Sequence, residues 1–179
     1  MRRVASTAVA LALIAGGPDA ARAQGAPAVL QGTFAMLGTV TKAVNVFGEH
    51  KGQRVRRSWT FVPQCQTADC PSVLLGRQRS GRHILDTIML SRQASGLYVG
   101  RGHFWVALRC AGQTVAHGGL ASETITVQIT ATTTVGATSF ATAISATYKN
   151  PSRQNLTRCP GGIGRDAARY QGQLVSGLP

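Results

Sequence analysis

Few side chains in this sequence could do chemistry, and their spacing assembles no site. The acids are Asp19, Glu49, Asp69, Asp86, Glu123 and Asp166. Glu49 and Asp69 fall in turn-like stretches, which leaves few carboxylates for paired general acid–base work. His83 and Asp86 stand three apart, and on a strand that separation points them to opposite faces. A trio such as Ser80, His103 and Asp86 could meet only through the fold. No G-x-S-x-G elbow, H-E-x-x-H pair or P-loop is present. The sequence therefore points to no catalytic residue and no cofactor, and favours binding over catalysis.

The cations are more informative. Nineteen lysines and arginines stand against six acids, a formal charge of +13. Arg54, Arg56 and Arg57 lie on one strand-like segment, and Arg77, Arg79 and Arg82 lie in a Gly- and Arg-rich turn. Arg101, His103, Trp105 and Arg109 set an aromatic ring among basic groups on an expected outward face. Basic and aromatic groups together suit carbohydrate acids, lipid headgroups or single-stranded nucleic acid. An ordinary solvated strand face has the same composition. An anionic envelope polymer is the expected macromolecular partner, and nucleic acid is not.

The elements that must carry these groups read as strands throughout. Ile125, Val127, Ile129, Ala131, Thr133 and Val135 alternate with Thr124, Thr126, Gln128, Thr130, Thr132 and Thr134, the pattern of a strand with one buried and one wet face. Gly136-Ala137 breaks the run, and Phe140, Thr142, Ile144, Ala146 and Tyr148 resume it, so the pair reads as a long β-hairpin. Earlier, Phe34, Met36, Val40, Val44 and Val46 share a face, as do Val55, Trp59 and Phe61. Tyr98, Gly100, Gly102, Phe104, Val106 and Leu108 form another set, and Arg169 to Val175 reads as a last strand. No stretch shows a helical apolar period. The fold expected is all-β, an antiparallel meander of about eight strands closing into a barrel, with a two-sheet sandwich as the alternative.

Met1-Arg2-Arg3, the apolar run Val4 to Ala15 and Ala21-Arg22-Ala23 have the order of a secretory signal peptide cut after Ala23. The apolar run is shorter than the roughly 18 residues a membrane helix needs. Residues 24–31 read as a flexible lead-in and 32–179 as a single β-domain. Loss of the leader takes three arginines and one aspartate, leaving 16 basic and 5 acidic side chains, or +11. The mature protein is expected outside the cell, from a bacterial source, with no transmembrane segment.

Four cysteines in an exported chain are expected as two disulfides, of which three pairings are possible. Cys65–Cys70 with Cys110–Cys159 is the pairing favoured here. The spacing lacks the C-x-x-C knuckles of a zinc site. Asn155-Leu156-Thr157 fits the N-glycosylation pattern and is expected to stay unmodified in a bacterial protein.

At Trp59-Thr60-Phe61-Val62-Pro63, Cys65, Cys70, Pro71-Ser72-Val73-Leu74-Leu75 and Tyr98-Val99-Gly100, the chain resembles a loose group of exported, uncharacterised actinobacterial β-domain proteins. That resemblance implies export and β structure and transfers no site. Gly32-Thr33-Phe34 is similar to the G-x-W opening of calycin barrels, with Phe34 in the tryptophan position.

Two functions follow as expectations. One is a barrel that binds a small apolar or amphipathic ligand, with room supplied by Gly100, Gly102, Ala131, Thr133, Thr142 and Ala146. The other is a basic, envelope-associated protein that binds anionic polymers or lipids through Arg54, Arg56, Arg57, Arg101, His103, Trp105 and Arg109. A third, an enzyme with a site assembled in space, has no residue assigned to it.

Overall fold

The computed structural model describes residues 27–46, 48–67, 70–78, 85–157 and 164–178. Nine strands form one antiparallel sheet: β1 Gly32–Val44, β2 Arg54–Pro63, β3 Ser72–Gln78, β4 Leu85–Ala94, β5 Leu97–Cys110, β6 Gln113–Val135, β7 Thr138–Asn150, β8 Arg153–Asn155 and β9 Arg165–Ser176. The order β5-β4-β3-β2-β1-β9-β7-β6 closes on itself through β5–β6. Eight strands thus make a near-barrel, uneven about its axis, and the short β8 adds to β6 outside the ring. The last strand starts earlier than the sequence implied, at Arg165, and its first residues carry part of the site.

Alternation sets the inner face. Phe34, Met36, Trp59, Phe61, Val73, Leu75, Leu90, Tyr98, Ile125, Val127 and Ile144 are nearly or wholly buried. The Phe34 and Phe61 rings meet edge-on at 5.4 Å, and Trp59 lies 5.1 Å from Tyr170. Aromatic rings packed at such distances add to the hydrophobic stabilisation of the core.

One end of the barrel is closed by the chain itself. Of the segment expected as a flexible lead-in, Ala28, Val29 and Leu30 are docked there and buried. The Val29 amide donates to the Ser139 carbonyl, and the Ala141 amide donates to the Val29 carbonyl. The apolar run Ala28-Val29-Leu30 covers core that would otherwise meet water. Cys65–Cys70 staples the β2–β3 loop at this end, and the Tyr98 hydroxyl donates to the Cys70 carbonyl at 3.3 Å. Cys110 is also disulfide-bonded; its expected partner Cys159 lies outside the described residues.

The inward glycines do not open a central cavity. A side chain at Gly100 would strike Leu90, and one at Gly102 would crowd Ile88. Both glycines admit those side chains, so the room expected for a ligand holds protein instead. Tyr170 fills the space over Gly38, and Met36 fills that at Gly172. Ala131 is a further correction. Pairing of β6 with β7 shifts between Ile129 and Ala131 and again between Ala131 and Thr132. The bulge turns Ala131 out to solvent and leaves Thr133 only partly buried. In β1 a shift between Val40 and Lys42 likewise leaves Val44 exposed.

Candidate functional site

The barrel's other end is an open, polar cup. Along the inward parity of six strands, apolar residues give way to charged or polar ones toward this end, while β1 and β5 stay apolar. On β2 the order is Phe61, Trp59, Arg57; on β3 Val73, Leu75, Arg77; on β4 Leu90, Ile88, Asp86. On β6 Val127 and Ile125 lead to Glu123, on β7 Ile144 and Ala146 to Tyr148 and Asn150, and on β9 Tyr170 and Ala168 to Asp166. Glu49 reaches the rim from the β1–β2 turn. The result is a cleft of about 240 Å³. Its polar wall is Arg57, Arg77, Arg153, Glu49, Asp166 and the two tyrosines, and Val40, Val55, Phe104 and Val106 supply an apolar wall.

Arg77 is the centre of the cup's charge network. Its guanidinium pairs with Glu123 and lies 3.5 Å from Asp86, its cross-strand neighbour. It also stands 5.2 Å from the centre of the Tyr148 ring, where a cation meets the negative face of the π-system. On the opposite wall Asp166 Oδ1 accepts from Asn150 Nδ2 at 2.8 Å and from Arg153 Nη2 at 3.0 Å. Buried charges need such partners to offset their lost hydration. The Nε groups of Arg77 and Arg153 and the Asn150 Oδ1 are buried without a protein hydrogen bond.

Titration in the cup follows burial. Glu49 is held above the ordinary carboxylate range, first by desolvation and then by the Asp166 charge, against the pull of Arg153 and Arg57. Burial pushes the Tyr148 phenol far above its usual value, and Asp166 adds to that. Tyr170 is raised by burial too, with Arg57 and Arg77 opposing. Both phenols therefore remain hydrogen-bond donors across neutral pH.

The expected surface cluster on β2 divides. Arg54 and Arg56 face outward and are exposed, whereas Arg57 sits on the inward parity between Val55 and Trp59 and lines the cup. Grouping the three as one surface patch was therefore wrong: successive side chains on a strand cannot share a face. Arg77, expected in a turn, is the inward residue near the end of β3; Arg79 and Arg82 lie outside the described residues. Arg101, His103, Trp105 and Arg109 do share the outward face of β5, with Trp105 52% exposed. Strands β3 and β4 separate them from Arg54 and Arg56. His103 points out while Asp86 points in, so the trio with Ser80 is not assembled; Ser80 and His83 lie outside the described residues.

Sequence reading missed the gathering of Glu49, Asp86, Glu123 and Asp166 into one mouth. The signal was present in the inward parity, which turns charged at the same end of β2, β3, β4, β6 and β9. Among the described residues no cluster of three His, Cys, Asp or Glu could hold a metal ion, and Asp86, Glu123 and Asp166 engage arginines instead. No family model, curated protein or solved structure matches the chain.

Proposed function

We propose that this chain is an exported, disulfide-stabilised binding protein whose barrel mouth takes a small amphipathic organic acid without transforming it. The observation that carries the reading is the placement of Arg57. Arg77 and Arg153 are engaged by carboxylates of the cup, whereas Arg57 donates to the backbone carbonyl of Arg56 at 2.9 Å. Its guanidinium stands in the cup wall beside the apolar side chains of Val55 and Val40. An anionic head on Arg57 would place an apolar body against that wall and Phe104. The cleft lies below the usual range of drug-sized pockets, so the ligand is small.

Charge supports the same ligand class. The cup sets Arg57, Arg77 and Arg153 against Glu49, Asp86, Glu123 and Asp166. Protonation of Glu49, whose pKa is raised by burial and the Asp166 charge, removes the excess of negative charge that an anion would meet.

The test is titration of the secreted protein with phenylacetate and hexanoate, and with phenylethanol and hexanol as uncharged counterparts. Trp59 fluorescence is the readout, in a Trp105→Phe background. The acids should bind and the alcohols should not. Arg57→Gln should weaken acid binding by about ten- to a hundredfold, the loss of one charge-assisted hydrogen bond. Equal binding of acids and alcohols, or an unchanged Arg57→Gln variant, would overturn the reading.

A further inference from the structure

The four described acids of the mature chain, Glu49, Asp86, Glu123 and Asp166, all belong to the cup, and this leaves one outer wall with a single sign of charge. Across five adjacent strands, β2-β1-β9-β7-β6, the outward residues fall into straight rungs. One runs Arg54, Thr39, Arg169, Thr147, Thr126. The next runs Arg56, Leu37, Gln171, Ser145, Gln128. Above them a third runs Lys42, Ala167, Lys149, Thr124. Lys42, Arg54, Arg56, Lys149 and Arg169 are all exposed. Among the described residues no acid lies on this face.

The wall is also shaped. A surface groove of about 300 Å³ runs over β6, β7 and β9, lined by Thr126, Gln128, Ser145, Thr147, Arg169 and Gln171, with the buried, inward-facing Ala146 and Tyr170 beneath it. At about 4.8 Å between strands, a five-strand rung extends the groove's line to Arg54 and Arg56, roughly 19 Å from end to end. Hydroxyl and amide groups therefore alternate with cations along a shallow straight track, and Leu37 offers an apolar contact within it.

We infer that this wall is a binding surface for a linear acidic polysaccharide. Threonine, serine and glutamine side chains exchange hydrogen bonds with sugar hydroxyls in either direction. The arginines and lysines meet the carboxylates, and Leu37 lies against a ring face. Neither of the two lower rungs carries an aromatic side chain, so the track lacks the stacking platforms that single-stranded nucleic acid uses. A lipid bilayer would be met by a flat or convex apolar surface with inserted aromatic residues, which the groove is not. This surface is separate from the cup; it meets β5 at Arg101, beside Thr124, while Trp105 and Arg109 lie further along β5, beside Leu120 and Thr114.

The experiment measures binding of the secreted protein to immobilised polygalacturonate, with dextran, single-stranded poly-dT and phosphatidylglycerol vesicles as alternatives. Polygalacturonate should bind, in a manner that weakens steeply with salt, and dextran should not. The double variant Arg54→Gln/Arg169→Gln should lose about tenfold in affinity. Gln128→Ala/Thr147→Val, which removes no charge, should lose about threefold or more. Trp105→Ala/Arg109→Gln on β5, off the rungs, should bind as the parent does. Tighter binding to poly-dT or to vesicles than to polygalacturonate would overturn the proposal. So would an equal loss in the β5 variant, or no loss in the uncharged groove variant. Circular dichroism checks that each outward substitution leaves the barrel folded.

Discussion

Arg77 on β3 pairs with Glu123 on β6 across the barrel interior, three strands apart in the ring. The two side chains are 11% and 3% exposed. This contact joins opposite walls at the floor of the cup and fixes where the apolar core ends. Removing one partner strands the other charge in a desolvated site, which costs about 3–5 kcal/mol. Arg77→Met and Glu123→Gln should each lower the denaturant midpoint by that equivalent. The triple variant Arg77→Met/Asp86→Leu/Glu123→Leu should recover most of the loss, because it removes the cation together with both carboxylates that it pairs. Chemical denaturation of the three variants checks the expectation, and additive losses would contradict it.

Glu49 makes the cup sensitive to pH. Its folded-state pKa lies above the ordinary glutamate value, through burial and the Asp166 charge. In the window between the unfolded and the raised folded pKa, the folded state holds more protons than the unfolded one. Stability attributable to this group therefore falls as pH rises through that window, the reverse of a salt-bridged carboxylate. Glu49→Gln should flatten the fall. Binding of an organic acid, expressed per ionised ligand, should also tighten toward lower pH and lose that dependence in Glu49→Gln. Thermal melts and titrations across the carboxylate range, on parent and variant, measure both.

The fold was legible because strand alternation is local, whereas the cup required knowing how the strands are laid side by side. Val55, Trp59 and Phe61 marked the inner face of β2, and the same parity at Arg57 placed that residue inside. What concealed it was the run Arg56-Arg57, which reads as one basic cluster in a linear sequence. Arg77 and Glu123 lie 46 residues apart, and no spacing rule connects them. Ala131 was misplaced for a different reason. A bulge costs the sequence no special residue at Thr130, so the threonine-rich alternation continued on paper while the register moved.

The close approach of Tyr170 to Gly38 makes a second kind of demand on sequence. The ring lies on the bare Cα of β1, and Val55 packs beside the same point. Gly38→Ala would drive a methyl group into the Tyr170 ring, and Tyr170 in turn contacts Trp59. Overpacking of this kind costs about 1–3 kcal/mol. Gly38→Ala/Tyr170→Leu should be more stable than the additive sum of its two single variants, since the shortened side chain makes room for the methyl. A double-mutant cycle by denaturation reads the coupling.

The Cys65–Cys70 staple acts at the closed end, far from the cup, and the two should be separable. The crosslink spans a sequence separation of 5, a short loop whose closure removes about 2 kcal/mol of denatured-state entropy in the chain model. The Cys70 carbonyl also accepts from the buried Tyr98 hydroxyl, so the loop positions an acceptor as well as a crosslink. Cys65→Ser/Cys70→Ser should lower stability by about 2 kcal/mol and leave the affinity for organic acids unchanged. Tyr98→Phe should lower stability by about 1 kcal/mol in the parent, the usual worth of a buried hydrogen bond. It should cost less in the cysteine-free variant, because the released loop no longer holds the carbonyl in place. If Tyr98→Phe costs the same in both backgrounds, the staple does not position the acceptor. Denaturation of the four proteins, with one ligand titration on each, distinguishes these outcomes.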